Sequence, residues 1–225
     1  MFKVSEKWRK TFPGADVGVL VINSVSNPKA NTALNNQKTE LEEHLHSAFY
    51  SYTKESLRDI STIKVYTEYY RHFKKTYHVL LQLESVVLKG KSIPNVAALV
   101  KAMFMAELKN MLLTAGHDLD AVQKPLTIDV SSGTEKYTLL NGKDQLLKAG
   151  DMIMTDEQGV ISSVIYGPDK RTQIRADTNH ALFVVYAPQG ISQQAVHQHL
   201  KDIQTYIMLF SPQAIVQSLE ILSAS

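Results

Sequence analysis

The chain has 225 residues, 44% of them apolar and 20% charged, with a formal net charge of +2. That balance suits a folded chain with a sizeable core and excludes collagen-like, linker-like and disordered readings. With no cysteine, a disulfide scaffold, a thiolate nucleophile, an iron–sulfur cluster and cysteine-ligated zinc are also excluded.

The start, Met1 to Lys10, is charged where a signal peptide needs an unbroken apolar core, and no segment reaches the ~20 apolar residues of a membrane span. A cytoplasmic protein without membrane contact is expected. Val17 to Ile22, between Pro13-Gly14 and the turn formers Asn23 to Pro28, reads as a buried strand. From Asn31 to about Asp59 no Gly or Pro intervenes, and Leu34, Leu41, Leu45, Ala48 and Phe49 recur at near-helical spacing with a polar outer face. A second helix is predicted over about 62–80, with Val65, Tyr69 and Phe73 as its buried stripe. Pro94 opens a third, whose apolar surface is Val96, Leu99, Val100, Met103, Leu108, Met111 and Leu112, and Gly116 ends it.

Past Asp120 the texture changes. Leu126 to Val130, Tyr137 to Leu140, Met152 to Met154, Val160 to Ile165 and Ala181 to Tyr186 are short β-prone runs, punctuated by Asn141-Gly142, Gly159 and Gly167-Pro168. That rhythm predicts hairpins and antiparallel strands. A last helix runs from about Ser192, its cap, to Phe210, before Pro212. The expected architecture is α+β, a helical first half packed on a mixed, mostly antiparallel β structure in a single domain over 1–225.

Several chemistries lack their motifs. Gly90-Lys91-Ser92 resembles the end of a phosphate-binding loop, but Ser85 stands where that loop needs glycine. No nucleophile elbow or dinucleotide-binding glycine pattern is present. His44/His46 and His197/His199 are two apart, which on a helix sets them roughly 200° apart, so neither pair chelates a metal. No metal and no cofactor are expected.

Three stretches remain. Between Lys64 and Lys91, Arg71, Lys74, Lys75, Lys89 and Lys91 concentrate positive charge, with Tyr66, Tyr70 and Tyr77 among the cations. Cations beside rings suit single-stranded RNA; an amphipathic helix with a solvated face has the same composition. Asn110 to Asp120 sets His117, Asp118 and Asp120 at an element junction. A histidine beside a carboxylate can orient water and a carboxylate can hold an ammonium, while Asp118 would serve equally as a helix cap. Tyr166 to Thr172, followed by Thr178, is a polar loop at strand ends. Arg171 suits a phosphate or carboxylate and the threonines a ligand hydroxyl; a plain hairpin turn explains Gly167-Pro168 as well.

Taken in order, Ile93-Pro94-Asn95, His117-Asp118-Leu119-Asp120, Gly142, Gly150-Asp151, Tyr166 to Thr172 and Thr178 resemble the B3/B4 domain of the phenylalanyl-tRNA synthetase β subunit. The likeness is nearer to freestanding B3/B4-domain proteins. It covers roughly 70–210, with the strand and helix of 15–60 packed onto that core. The resemblance implies a mixed β structure flanked by helices and an editing module that binds the 3′ aminoacyl end of tRNA, not DNA, and hydrolyses the ester of a mischarged amino acid in trans. It leaves no room for ligase activity by this chain alone. Two alternatives are a noncatalytic RNA-binding B3/B4 module and a protein binding a free amino acid or ester.

On that resemblance the pocket lies between the 110–120 turn and the 166–172 loop. His117 orients water, Asp118 or Glu107 holds the α-ammonium, and Lys170 or Arg171 meets the terminal phosphate or the oxyanion. Asn110, Tyr166, Thr172 and Thr178 complete the substrate contacts, and Arg71, Lys74, Lys75, Lys89 and Lys91 meet the RNA. The chain departs from synthetase-linked copies in two places. Ala115 stands where a histidine is common, and Pro168, Lys170 and Arg171 replace a glycine-rich stretch containing a glutamate.

Overall fold

The amino-terminal residues alternate short strands and helices: β1 (Phe2–Val4), α1 (Glu6–Thr11) and β2 (Asp16–Asn23). These coordinates are a computed structural model describing residues 1–224. Five helices follow, α2 (Thr32–Ala48), α3 (Lys54–Arg58), α4 (Ser61–His72), α5 (His78–Val87) and α6 (Ala98–Asn110). The β-rich part comprises β3 (Thr114–Asp118), a 3-10 turn (Leu119–Ala121), β4 (Leu126–Val130), β5 (Lys136–Thr138), β6 (Asp144–Leu146), β7 (Met152–Asp156), β8 (Gly159–Ser163), β9 (Gly167–Pro168) and β10 (Ala181–Ala187). The chain then runs through α7 (Gln193–Met208) to β11 (Ile215–Ser223).

The strands form a five-stranded sheet in the order β1-β4-β7-β8-β9, a four-stranded sheet β11-β2-β10-β3 and the hairpin β5-β6. Only β1 and β4 pair in parallel among these ladders. The expected α+β class with mostly antiparallel sheets is the one found. β2 and β10 are buried along nearly their whole length, as strands covered on both faces must be. At Gly18 in β2 an added Cβ would lie 2.4 Å from Val196 and 3.1 Å from Leu200, so the missing side chain is what lets α7 sit directly on the sheet.

The expected helix over 31–59 is two, α2 and α3, separated by a turn at Phe49–Tyr52. The helix expected over 62–80 likewise breaks. Lys74 adopts φ 55°, Phe73 N–H and Lys75 N–H both reach Tyr70 O, at 3.0 and 3.1 Å, and the chain turns before α5. This is the left-handed helix stop that usually takes glycine, here occupied by lysine. The third helix ends at Asn110, with Met111 left-handed at φ 57°. Gly116 does not end it but lies inside β3.

The buried side of α4 also differs from the predicted stripe. Tyr69 is buried, Val65 and Phe73 only half so, and Ile63, Tyr66 and Tyr70 fill the core. Tyr66, Tyr70 and Tyr77 are therefore closed to stacking on bases, being 0%, 1% and 0% exposed. Buried phenol hydroxyls need partners, and these donate to the backbone: Tyr66 to Tyr186 O, Tyr70 to Val164 O at 2.7 Å and Tyr77 to Met111 O at 2.9 Å. Tyr66 and Tyr77 stack with centroids 4.5 Å apart. Tyr69 donates to Asp151 Oδ1 at 2.6 Å and accepts from Met152 N–H at 2.7 Å.

Tyr77→Phe keeps the stacked ring and removes only the donor to Met111 O. Urea unfolding should show a loss of about 1–2 kcal/mol with an unchanged m-value, since the buried carbonyl loses its partner.

Candidate functional site

A cavity of 380 Å³ lies between α5, α6, the start of β3 and the segment joining β8 to β9. Its volume suits a small ligand. Val100, Met103, Phe104 and Ile174 give it apolar walls; the polar groups include Glu107, His78, Gln82 and Gln173.

Glu107 projects from α6 and is 1% exposed. Its Oε1 accepts the Thr114 N–H at 2.8 Å, while Oε2 is buried without a partner. Burial pushes its pKa from 4.5 up to about 8, because a lone carboxylate is poorly solvated there. The carboxyl is therefore mostly neutral at pH 7 in the empty cavity.

His78 opens α5. Tyr70 has one hydroxyl proton and gives it to Val164 O, so the contact of 3.2 Å between Tyr70 Oη and His78 Nδ1 has the ring as donor. That fixes the proton on Nδ1 and leaves Nε2 with its lone pair. Burial lowers the pKa of His78 to about 4, so the ring is neutral at pH 7. At the rim, Lys75 Nζ stands 5.0 Å from the centroid of the Tyr166 ring, a cation–π contact.

Of the nine residues expected to act on substrate, Glu107 and Tyr166 line this cavity. His117 does not. Side chains alternate along a strand, and next to Gly116 the imidazole is sent into the protein, fully buried. Thr172 gives its hydroxyl proton to Asp169 Oδ1, so the 2.7 Å contact between His117 Nδ1 and Thr172 Oγ1 has the ring as donor. Nε2 is left without a partner, and burial, aided by nearby Arg171, lowers the pKa to about 3. Asp118 is the cap: its carboxylate accepts from Asp120 N–H at 3.0 Å and from the Thr178 hydroxyl at 2.8 Å.

The remaining five also lie elsewhere. Arg171 pairs with Asp156 at 2.8 Å and donates to Ala121 O at 2.9 Å. Lys170 is exposed beside the Gly142 turn. Asn110 donates to Asp202 at 2.8 Å and lies 3.2 Å from His199 Nδ1. Thr172, Thr178, Asp118 and Asp169 form a buried polar brace beneath the 166–178 segment. The cations Arg71, Lys74, Lys75, Lys89 and Lys91 are all exposed. Lys91 borders a smaller hollow of 370 Å³ that shares His78 and Gln82 with the main cavity.

His78 carries no motif that marks it in the sequence. The proline- and glycine-free run leading to it gave no sign that a helix starts there. Among the described residues no three His, Asp or Glu side chains gather as a metal would need, and no helix is long and apolar enough to cross a membrane.

A family model described as the B3/4 domain matches residues 63–211. The phenylalanine–tRNA ligase β subunit of Mycoplasma pneumoniae is 32% identical over 94 residues, which are 41% of this chain and 12% of that protein, so the chain matches only a small part of this relative's length. The crystal structure of an N-terminal fragment of the phenylalanyl-tRNA synthetase β subunit from Pyrococcus horikoshii shares the fold at a TM-score of 0.50 and 12% identity, over 98% of this chain and 50% of that one.

Glu107→Gln tests the buried carboxyl. Since folding raises its pKa, the native state holds the proton to higher pH than the unfolded chain. Wild-type stability should fall as pH rises from about 4.5 to about 8 and level off above. The amide does not titrate, so thermal unfolding should give a Tm advantage of the variant over wild type that grows across this window.

Proposed function

We propose, from the premise that the chain belongs to the B3/4 domain family, that it hydrolyses aminoacyl esters carried on the 3′ end of tRNA, acting in trans. The single observation carrying this reading is Glu107: a buried carboxyl with one unpartnered oxygen in a partly open, mostly apolar cavity is a receptor for one cationic group on an otherwise apolar ligand. An α-aminoacyl group has that chemistry. Its side chain would take the space between Val100, Met103, Phe104 and Ile174, and its ammonium would meet Glu107 Oε2. The ester would point toward the rim, where Tyr166 and Lys75 offer a ring and a cation to the terminal nucleotide.

The hydrolysis asks little of the protein. His78 Nε2 can accept a hydrogen bond from water and orient its oxygen toward the carbonyl carbon. Water adds, the carbonyl π pair moves onto oxygen, and collapse breaks the bond to the ribose oxygen. The proton released from water ends on that oxygen, and products are the free amino acid and the tRNA hydroxyl. With a pKa of about 4 for His78, orientation and exclusion of bulk water carry more weight than proton abstraction. His117 and Asp118 act in this reading as braces for the wall, not as reacting groups. Residues 1–225 are read as one domain, supported by an apolar cluster running from Trp8 to Ala224.

A noncatalytic RNA-binding module is favoured by one feature, Ala115 in the place where synthetase-linked copies commonly carry histidine. A deacylation screen over mischarged tRNAs separates the two. Hydrolysis of at least one is expected, with His78→Gln lowering kcat about 100-fold and Glu107→Gln acting mainly on KM. RNA binding without turnover of any member favours the module, and failure to bind RNA leaves a binder of free amino acids or esters.

Affinity for tRNA should fall steeply with added salt. Lys75→Glu and Lys91→Glu should each weaken it and reduce the slope of log K against log salt by about one unit, measured by filter binding at several ionic strengths.

A further inference from the structure

We propose that the outer edge of β3 is a recognition strand for the ligand's carbonyl, with the backbone N–H of Gly116 as its donor; this deepens the aminoacyl-ester reading and rests on it. Among the described residues β3 is the last strand of its sheet and pairs on one side only, with β10. The direction of its peptide groups is fixed by two bonds on the other side. Thr114 N–H goes to Glu107 Oε1 at 2.8 Å and Asp118 N–H goes to Thr172 O at 2.7 Å. In a strand, residues two apart turn their N–H and C=O to the same edge. Gly116, between the two, therefore presents its N–H and C=O away from β10, at a point where it lines the cavity.

A buried backbone donor and acceptor without partners are costly and favour a ligand that supplies them. The absence of a side chain matters at this position. A Cβ on Gly116 would stand 2.8 Å from Ile174 Cδ1 and 3.2 Å from Met103 Sδ, so any other residue would press on the wall that closes over the edge. Strand rise puts Gly116 about 7 Å beyond Thr114, whose N–H holds the Glu107 carboxyl. An α-aminoacyl group carries its ammonium and its carbonyl on one α-carbon, and bridges that interval with a hydrogen bond at each end. As water adds to the carbonyl carbon, the N–H that met the carbonyl oxygen faces the negative charge forming on it. One backbone group thus serves recognition and the reaction, independently of the ligand's side chain.

The test uses the full chain with carbonyl-13C alanine and 15N glycine. Only Gly116 and Gly150 follow an alanine, so a carbonyl-filtered amide spectrum contains those two signals, and Gly150 does not line this cavity. The probes are 3′-aminoacylamino-3′-deoxyadenosines carrying alanine, phenylalanine or tyrosine, whose amide replaces the labile ester. Calorimetry reports their binding to wild type and to Glu107→Gln. On saturation the Gly116 amide proton should move downfield and its exchange with solvent should slow about tenfold, while Gly150 stays in place. An analogue that binds in a Glu107-dependent manner but leaves Gly116 unmoved overturns the edge-strand proposal and leaves the aminoacyl reading standing. If none of the analogues binds, that reading falls and this proposal with it.

Discussion

The fold depends on the need of four buried tyrosine hydroxyls for partners in the β-rich half. A phenol taken out of water without a hydrogen bond costs several times what a satisfied one returns. Tyr66, Tyr70 and Tyr77 meet that need with backbone carbonyls, and Tyr69 with Asp151. Their acceptors are not scattered. Val164 lies in the cavity wall, Met111 holds the left-handed turn between α6 and β3, and Leu113 N–H in turn donates to Tyr66 at 3.3 Å. Helix α4 and the residue before α5 thus set the spacing of the two walls between which the cavity opens.

The same economy operates at Asp151. It is fully buried, yet receives the Tyr69 and Ser163 hydroxyls, and burial raises its pKa to about 6 against the opposing effect of those bonds. Ser163 lines the cavity, so a carboxylate behind the wall anchors a residue at its surface. On the other side the brace of Asp118, Thr178, Asp169, Thr172 and His117 fixes the segment carrying Gln173 and Ile174. A cavity wall made of loop can hold its shape when the loop's polar groups are tied beneath it.

How much was legible in the sequence follows from which signals are local. Val17–Ile22 and Ala181–Tyr186 are apolar runs between turn formers, and both are central strands. Ser192 caps α7, with its side chain accepting from Ala195 N–H. What failed were the places where a helix ends without glycine or proline. Lys74 and Met111 take left-handed backbone at helix stops, and composition cannot announce a lysine or methionine there. Missing the second of these extended α6 through Gly116 and turned a strand into a helix end. A histidine on a turn can face any direction, whereas in a strand beside Gly116 it is committed to one face. The tyrosines misled for a related reason: ring and cation alternate along α4 as they would in an RNA-binding surface, and only packing reveals that the rings point inward and the cations outward. Strands β1 and β11 carried no sequence expectation. β11, the edge of its sheet, is only half-buried or exposed along its length, and β1 is only three residues long and borrows its partner from β4.

The carboxyl of Glu107 ties these observations to function through charge. With a pKa of about 8, it holds its proton near neutral pH in the empty cavity, so the site does not attract cations from a distance. In the proposed reading a bound ammonium would favour the ionised form and lower that pKa, so the carboxyl would give up its proton as the ligand enters. The charge exists only when its partner is in place, which keeps an apolar cavity from having to solvate a bare carboxylate. In the proposed reading, long-range attraction of a polyanion falls to the exposed cations around α4 and α5, and the buried acid would discriminate only after the end of that polyanion has entered. Such a division of tasks by burial is compatible with a small net charge and a local surplus of cations in the same chain.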